Sequence, residues 1–177
     1  TIPANRKAFK VDGSMPDPPQ FAAEALLQAL KERGIAVEGA ATTNTGLRDS
    51  WKNADRSLIL EHKSPALDSV VLHTNMKSIN LYAETLLKTL GKELKGVGST
   101  EMGAEVVMEW LRQQDINMNG LNLEDGSGLS RFNTISAAQM TAILVLAQQS
   151  PYADLFYSSL PTAGKSGTLK SIGGKTA

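Results

Sequence analysis

The chain has 177 residues, of which 41% are hydrophobic and 20% charged, so it is long enough to bury a core as one globular domain. Eighteen basic and eighteen acidic residues give a formal net charge of zero, which argues against recruitment of nucleic acid or an anionic membrane through bulk charge. Cysteine is absent and only two histidines are present, which excludes disulfides, thiol nucleophiles and a histidine-rich metal site.

A helix is predicted near the start of the chain, after an extended lead-in over residues 1–15. Asp17 suits the N-cap, Pro18 suits the first helical position, and Gln20 can reach back to complete a capping box. Apolar residues at helical spacing continue up to Gly34, which is typical of a helix end.

Strands are predicted to be few, short and far apart. Short apolar or alternating runs indicate them at residues 8–11, 35–39, 56–63 and 121–124. The polar residues 42–55 are predicted to form a surface loop, with Trp51 as an anchor onto the core. The pattern therefore predicts a mostly helical α+β fold whose strands pair with segments outside this chain.

The strongest helical signal lies in the middle of the chain. Ser64 and Pro65 are predicted to begin a helix that leads to a polar stretch, Lys77–Asn80. Apolar residues spaced by three and four then predict a long helix. Its predicted buried residues are Ile79, Tyr82, Ala83, Leu86, Leu87, Leu90 and Leu94. Ser99 is predicted to cap the following helix, which would bury Trp110 among its apolar residues.

Two further helices are predicted towards the end of the chain. Ser136 and Gln139 have the spacing of a capping box ahead of an apolar run. Pro151 is predicted to begin a short helix that ends at Leu160, after which glycine and lysine dominate.

The polar stretch between the two central helices supplies the first candidate site. A serine at 78 can relay a proton, and an asparagine at 80 can donate and accept hydrogen bonds at once. Two such residues at the mouth of a buried helix can face one cleft. The alternative is structural, because a serine before an apolar run is most often the N-cap of the helix that follows.

A second candidate lies in the glycine-rich segment Asp125–Gly128. Ser127 could serve as a nucleophile, with His73 as its base, although a nucleophile elbow would require glycine at 125. The structural alternative is a tight turn in which Asp125 and Ser127 bond backbone groups. A third candidate, Lys165–Gly167, has the composition of a substrate-binding strand but is also typical of a flexible loop.

Taken together, these segments resemble the peptidase S13 family, the class C low-molecular-mass penicillin-binding proteins. Four segments carry the resemblance in order along the chain: Asp17–Ala23 with Gly34–Ile35, Lys77–Asn80, Asp125–Arg131 and Leu160–Leu169. They are similar to the Asp-Pro helix of the family, its Ser-x-Asn box, its Asp-Gly-Ser-Gly-Leu-Ser-Arg segment and its Leu-Pro-x-Ala-Gly segment.

One departure from the family pattern concerns the nucleophile. The family uses a Ser-x-x-Lys motif, and no serine of this sequence has lysine three residues later. The resemblance also places the true Lys-Thr/Ser-Gly strand beyond Ala177, so that Lys165 is a lookalike. The chain is therefore expected to be a single partial domain, with a helical subdomain over 16–160 and a loop over 161–177 leading to the missing strand.

The resemblance implies a serine-type D-alanyl-D-alanine carboxypeptidase or endopeptidase that acts on peptidoglycan stem peptides and binds β-lactams. It implies catalytic roles for Ser78 and Asn80, substrate contacts at Asp125 and Ser127, no metal or organic cofactor, and a periplasmic or cell-envelope location. The isolated chain is expected to be inactive. Two alternatives stay open: a non-catalytic helical binding module, and a hydrolase that uses Ser127.

Overall fold

The computed structural model describes residues 13–43, 58 and 60–173, and the chain divides into two compact units, Thr1–Glu61 and His62–Ala177. The α-helices are α1 (Pro18–Glu32), α2 (Leu67–Lys77), α3 (Asn80–Lys95), α4 (Thr100–Gln113), α5 (Ala137–Gln149) and α6 (Ala153–Ser159). A single 3₁₀ turn, Gly167–Leu169, follows in the described residues. The predicted mostly helical fold is confirmed.

Helix α1, in the first unit, begins and ends at the predicted residues. The Asp17 carboxylate accepts a 3.0 Å hydrogen bond from the Gln20 backbone, and Gly34 has the positive φ of 74° that commonly ends a helix. The second half of the predicted capping box is wrong, because the Gln20 side chain donates to Glu24 and to the Ala41 carbonyl instead.

The second unit is built on a close helix pair, α3 and α4. A Cβ at Gly103 would overlap the Leu87 carbonyl, so only glycine allows the two backbones to approach this closely. The Ser99 side chain caps α4 as predicted, accepting from the Met102 backbone at 3.2 Å. The buried apolar residues are Leu87, Ala104, Val106, Leu111 and Ile116.

Several residues that were predicted to be buried on α3 and α4 are exposed. Tyr82, Leu90, Leu94 and Trp110 keep between 40% and 66% of their surface accessible. The apolar period correctly located the helices, but the 60–173 region covers only one side of them. Periodicity reports which face is apolar, whereas burial depends on what packs against that face.

Helix α5 begins with the predicted capping box. The Ser136 hydroxyl accepts from the Gln139 backbone at 3.2 Å, and the Gln139 side-chain oxygen accepts from the Ser136 backbone at 2.7 Å. Gln139 is only 4% exposed, and its amide nitrogen donates to the carbonyls of Asn117 and Asn119. This buried polar side chain is therefore fully partnered and joins α5 to the preceding loop.

The predicted strands are mostly wrong in the described residues. Residues 35–39 and 60–63 have no regular structure, and 121–124 contains a single antiparallel bridge from Asn122 to Thr134. A strand needs a hydrogen-bonded neighbour, and the described ranges supply none for the first two segments. The predictions for residues 8–11, for Trp51 and for most of 42–59 concern segments outside the described residues.

Two helix starts also differ from prediction. Helix α2 begins at Leu67 with Ala66 at the N-cap, so Pro65 precedes the helix instead of opening it. Helix α6 begins at Ala153, two residues after Pro151. None of the helices in the described ranges is both long enough and apolar enough to cross a membrane.

Candidate active site at the junction of two helices

Ser78 and Asn80 lie where α2 ends and α3 begins. Ser78 is the C-cap of α2 and has left-handed backbone angles, φ 53° and ψ 55°. Its backbone N–H donates to the Thr74 carbonyl, which also accepts from Ile79 at 3.2 Å. Asn80 is the first residue of α3. The structure thus places the two predicted residues on either side of one sharp change of direction.

The structural alternative, in which Ser78 is the N-cap of α3, is wrong. The N-cap position of α3 belongs to Ile79, which has no capping side chain. Ser78 and Asn80 are both exposed, and neither side chain has a hydrogen bond within the described part of the chain. Both polar groups therefore remain available to a ligand, and a serine occupies a backbone conformation that usually favours glycine.

The end of α2 is held in place by α6 and by the segment after it. The Asn75 side chain donates a 2.7 Å hydrogen bond to the hydroxyl of Ser159, which is only 1% exposed and in turn donates to the Phe156 carbonyl. Gly167, with φ 59°, lies so close that a Cβ there would be 2.9 Å from the Met76 carbonyl. Two contacts from distant parts of the chain therefore fix the last turn before Ser78.

The beginning of α3 is held by the loop that contains Asp125–Gly128. One oxygen of the Glu84 carboxylate accepts from the backbone N–H groups of Gly126 and Ser127, at 3.1 and 3.0 Å. A Cβ at Gly126 would lie 2.5 Å from the Ala83 carbonyl, so the loop backbone rests directly on the helix backbone. The predicted tight turn is thus also a docking element.

Asp125 organises this loop from inside. Its carboxylate accepts from the Asn133 amide at 2.7 Å, the Gly128 and Ser130 backbones at 2.8 Å each, and the Ser127 hydroxyl at 3.2 Å. The Asn133 hydrogen bond is the main reason that the pKa of Asp125 is lowered, with the backbone donors adding to it. Four donors converging on one carboxylate make the loop a rigid unit.

The surroundings of Ser127 and Lys165 bear on the alternative sites. The Ser127 hydroxyl donates to the Asp125 carboxylate, and no imidazole is hydrogen-bonded to it in the described residues. Residues 163–166 form a turn that leads into the 3₁₀ helix, so Lys165 does not lie on a strand.

An apolar cavity of about 530 Å³ lies between α2 and α6 and is lined by none of Ser78, Asn80, Asp125 and Ser127.

Sequence reasoning missed Glu84. It lies on the predicted helix, and nothing in its neighbourhood along the chain distinguishes it from a solvated glutamate. Its partners are 42 and 43 residues away, so only the folded arrangement reveals the contact.

Comparisons of the sequence and the fold with known proteins identify relatives of this chain. A family model described as D-Ala-D-Ala carboxypeptidase 3 (S13) family matches residues 1–176. The chain is 30% identical to a D-alanyl-D-alanine carboxypeptidase of Actinomadura sp. strain R39, in an alignment that covers 100% of this chain and 32% of that protein. It is 26% identical to the D-alanyl-D-alanine carboxypeptidase DacB of Haemophilus influenzae, over 95% of this chain and 34% of that protein.

Solved structures give the same answer for the fold. The crystal structure of penicillin binding protein 4 from Haemophilus influenzae aligns with 89% of this chain and 34% of that one, at 26% identity and a TM-score of 0.75. The same protein complexed with a novel β-lactam aligns with 93% of this chain and 37% of that one, at 24% identity and a TM-score of 0.80. The chain thus spans about a third of the length of the relatives it matches.

Proposed function

The chain belongs to the D-Ala-D-Ala carboxypeptidase 3 (S13) family, and from this premise we propose that it forms part of a serine-type D-alanyl-D-alanine carboxypeptidase or endopeptidase. The observation that carries the proposal is the α2–α3 junction, where Ser78 and Asn80 are exposed and have no partners within residues 60–173. The protein would act on peptidoglycan stem peptides and would bind β-lactams, in the periplasm or cell envelope.

The proposed reaction proceeds through an acyl-enzyme. A serine of a Ser-x-x-Lys motif, which these 177 residues do not contain, attacks the D-Ala-D-Ala carbonyl carbon and expels the terminal amine. The Ser78 hydroxyl relays a proton to that amine, and the Asn80 amide binds the substrate amide. Water then hydrolyses the ester and regenerates the serine.

The Asp125–Gly128 loop contributes a wall beside this junction. We predicted that Asp125 and Ser127 contact the substrate, and this stays a prediction. Both side chains already bond each other inside the loop, so a substrate would share or displace the 3.2 Å bond between them. Support for a role near the site comes from the contact of this loop with Ala83 and Glu84, within the first two turns of α3.

The test uses the full-length protein that contains this chain. We expect it to be labelled covalently by fluorescent penicillin and to release D-alanine from a D-Ala-D-Ala peptide. Asn80→Ala should lower both rates by on the order of a hundredfold, the scale of a lost transition-state hydrogen bond. Asn119→Ala is the matched control, because Asn119 is exposed and its side chain has no hydrogen bond in the described region.

Two results would count against the proposal. Equal rates for Asn80→Ala and the unsubstituted protein would remove Asn80 from the site. A full-length protein that takes up no penicillin and releases no D-alanine would favour the non-catalytic binding module.

A further inference from the structure

The α2–α3 junction does not fix its own geometry. Ile79 offers no capping side chain to the first N–H groups of α3, and Ser78 is held in the left-handed region, which a serine does not prefer. A junction of this kind keeps one geometry only if its two helices are held from outside. Asn75 and Gly167 provide this for α2.

For α3 the external contact is made by Glu84. Glu84 follows Asn80 by four residues, so the two side chains are neighbours on one face of the helix. The half-buried carboxylate accepts two consecutive backbone N–H groups, which are charge-assisted hydrogen bonds and stronger than neutral ones. These bonds tie the face that carries Asn80 to the rigid loop around Asp125.

The contact between α3 and the loop around Asp125 leaves little room for either segment to move. Gly126 has no room for a side chain above Ala83, so the loop cannot move closer to α3. The Glu84 bonds keep the loop from moving away. The loop is internally rigid, since the Asp125 carboxylate accepts backbone N–H groups from Gly128 and Ser130.

We propose that Glu84 is a positioning residue of the active site, which sets the direction of Asn80, and with it Ser78, by docking the Asp125–Asn133 loop on α3. This inference rests on the proposed function of the α2–α3 junction. Glu84 touches neither substrate nor nucleophile in this proposal. It acts by holding the first turns of α3 in the orientation that the reaction requires.

The test measures the second-order rate of acylation by fluorescent penicillin in the full-length protein. Glu84→Ala removes the acceptor and should slow acylation on the order of tenfold or more, as expected for a displaced catalytic group. Glu84→Gln keeps an oxygen that accepts both N–H groups and should recover most of the lost rate. Glu93→Ala is the matched control, because Glu93 lies exposed on α3 with no partner in the described ranges.

Coupling to Asn80 separates positioning from general stabilisation. If Glu84 acts through Asn80, then Glu84→Ala should slow acylation much less in an Asn80→Ala background than in the unsubstituted protein. Thermal unfolding of the same variants shows whether stability alone has changed. Equal fold-losses in both backgrounds would overturn the proposal, as would a folded Glu84→Ala variant that acylates at the full rate.

Two further outcomes are decisive. If Glu84→Ala does not fold, Glu84→Asp replaces it, because the shorter side chain keeps the charge but withdraws the acceptor by one methylene. Glu84→Asp should acylate more slowly than Glu84→Gln, and the reverse order would overturn the proposal. An unsubstituted protein that takes up no penicillin would instead remove the proposed function, and this inference with it.

Discussion

Two non-glycine residues in the described parts of the chain have left-handed backbone angles, Ser78 with φ 53° and Asp115 with φ 56°. Asp115 lies just past the C-cap of α4, where this conformation commonly ends a helix. Ser78 is different, because it lies in the motif that the family resemblance singles out and its side chain is exposed. Strain retained at such a position is typical of a functional site.

We predict that Ser78→Gly raises the stability of the protein and lowers its rate of acylation by penicillin. Relief of left-handed strain is worth about 1–2 kcal/mol, and the added freedom of glycine in the unfolded chain costs about 0.5–1 kcal/mol. Thermal unfolding should therefore show a net gain of up to about 1.5 kcal/mol. Acylation by penicillin should fall by about a hundredfold, because the proton relay is gone.

Asp115→Gly is the control for this prediction. It relieves the same kind of backbone strain away from the α2–α3 junction, so it should raise stability without changing acylation. A Ser78→Gly variant that acylates normally would show that the hydroxyl has no part in the reaction.

The lowered pKa of Asp125 predicts a dependence of stability on pH. The pKa of Asp125 is lower in the folded protein than in the unfolded one. The ionised carboxylate therefore contributes its full stability above about pH 3.9, the ordinary pKa of an aspartate. That contribution is lost as the pH falls through the lowered pKa. Asp125→Asn should therefore flatten the acid limb of a plot of unfolding free energy against pH.

The comparison for Asp125 is Asp115→Asn, at an exposed aspartate with no side-chain hydrogen bond in the described residues. It should leave the acid limb unchanged. If Asp125→Asn and the unsubstituted protein lost stability in parallel down to pH 2, the hydrogen-bonded loop would not be the acid-sensitive element.

At the scale of elements, the α3–α4 pair provides the rigid base to which the site is attached. Gly103 faces the Leu87 carbonyl, and a Cβ at Gly91 would lie 2.8 Å from both the Gly103 nitrogen and the Val97 carbonyl. Backbone atoms at these positions cannot rotate away as a side chain can. The close approach therefore depends on the two glycines and not on the apolar period alone.

We predict that Gly103→Ala destabilises the protein by about 3 kcal/mol, the upper part of the usual range for overpacking. The added methyl group would push α4 away from α3 and would also move Glu84 relative to its loop. Thermal unfolding of the full-length protein measures the loss.

Gly98→Ala is the matched substitution for Gly103→Ala. A Cβ at Gly98 would be 3.5 Å from the Lys92 side chain, an ordinary contact, so this variant should unfold near the temperature of the unsubstituted protein. Equal stability of both variants would mean that the two helices can separate freely.

At the scale of the whole molecule, the described residues leave much apolar surface uncovered. Helix α5 contains no charged residue, and only Gln139 among its thirteen residues is buried. Met140, Leu144 and Val145 are between 39% and 44% exposed. A helix with so few polar side chains is typically buried, which the described residues do not achieve for α5.

We predict that the isolated 177-residue chain takes up no fluorescent penicillin, because no serine in it has the lysine partner that the family nucleophile requires. Denaturing gel electrophoresis with in-gel fluorescence measures the label, and the full-length protein is the positive control. Label on the isolated chain that maps to Ser127 would support the hydrolase alternative.

The sequence by itself determined the helical character of the chain, its family and most of its helix ends. Caps at Asp17, Ser99, and Ser136 with Gln139 were predictable, because a cap is a contact between residues three apart. The Ser-x-Asn motif could likewise be located by its order among the other segments. The strands could not be predicted, because a strand depends on a partner that local sequence does not specify.

Only the tertiary structure decided how the junction at Ser78 and Asn80 is held. Ser78 has left-handed backbone angles that its type does not predict. The contacts of Gly167 with Met76 and of Gly126 with Glu84 join residues far apart in the chain. Each is a matter of how closely backbones can pack, and packing is settled only when distant segments meet. A glutamate that looks like any solvated residue in the sequence therefore becomes the anchor of the candidate site.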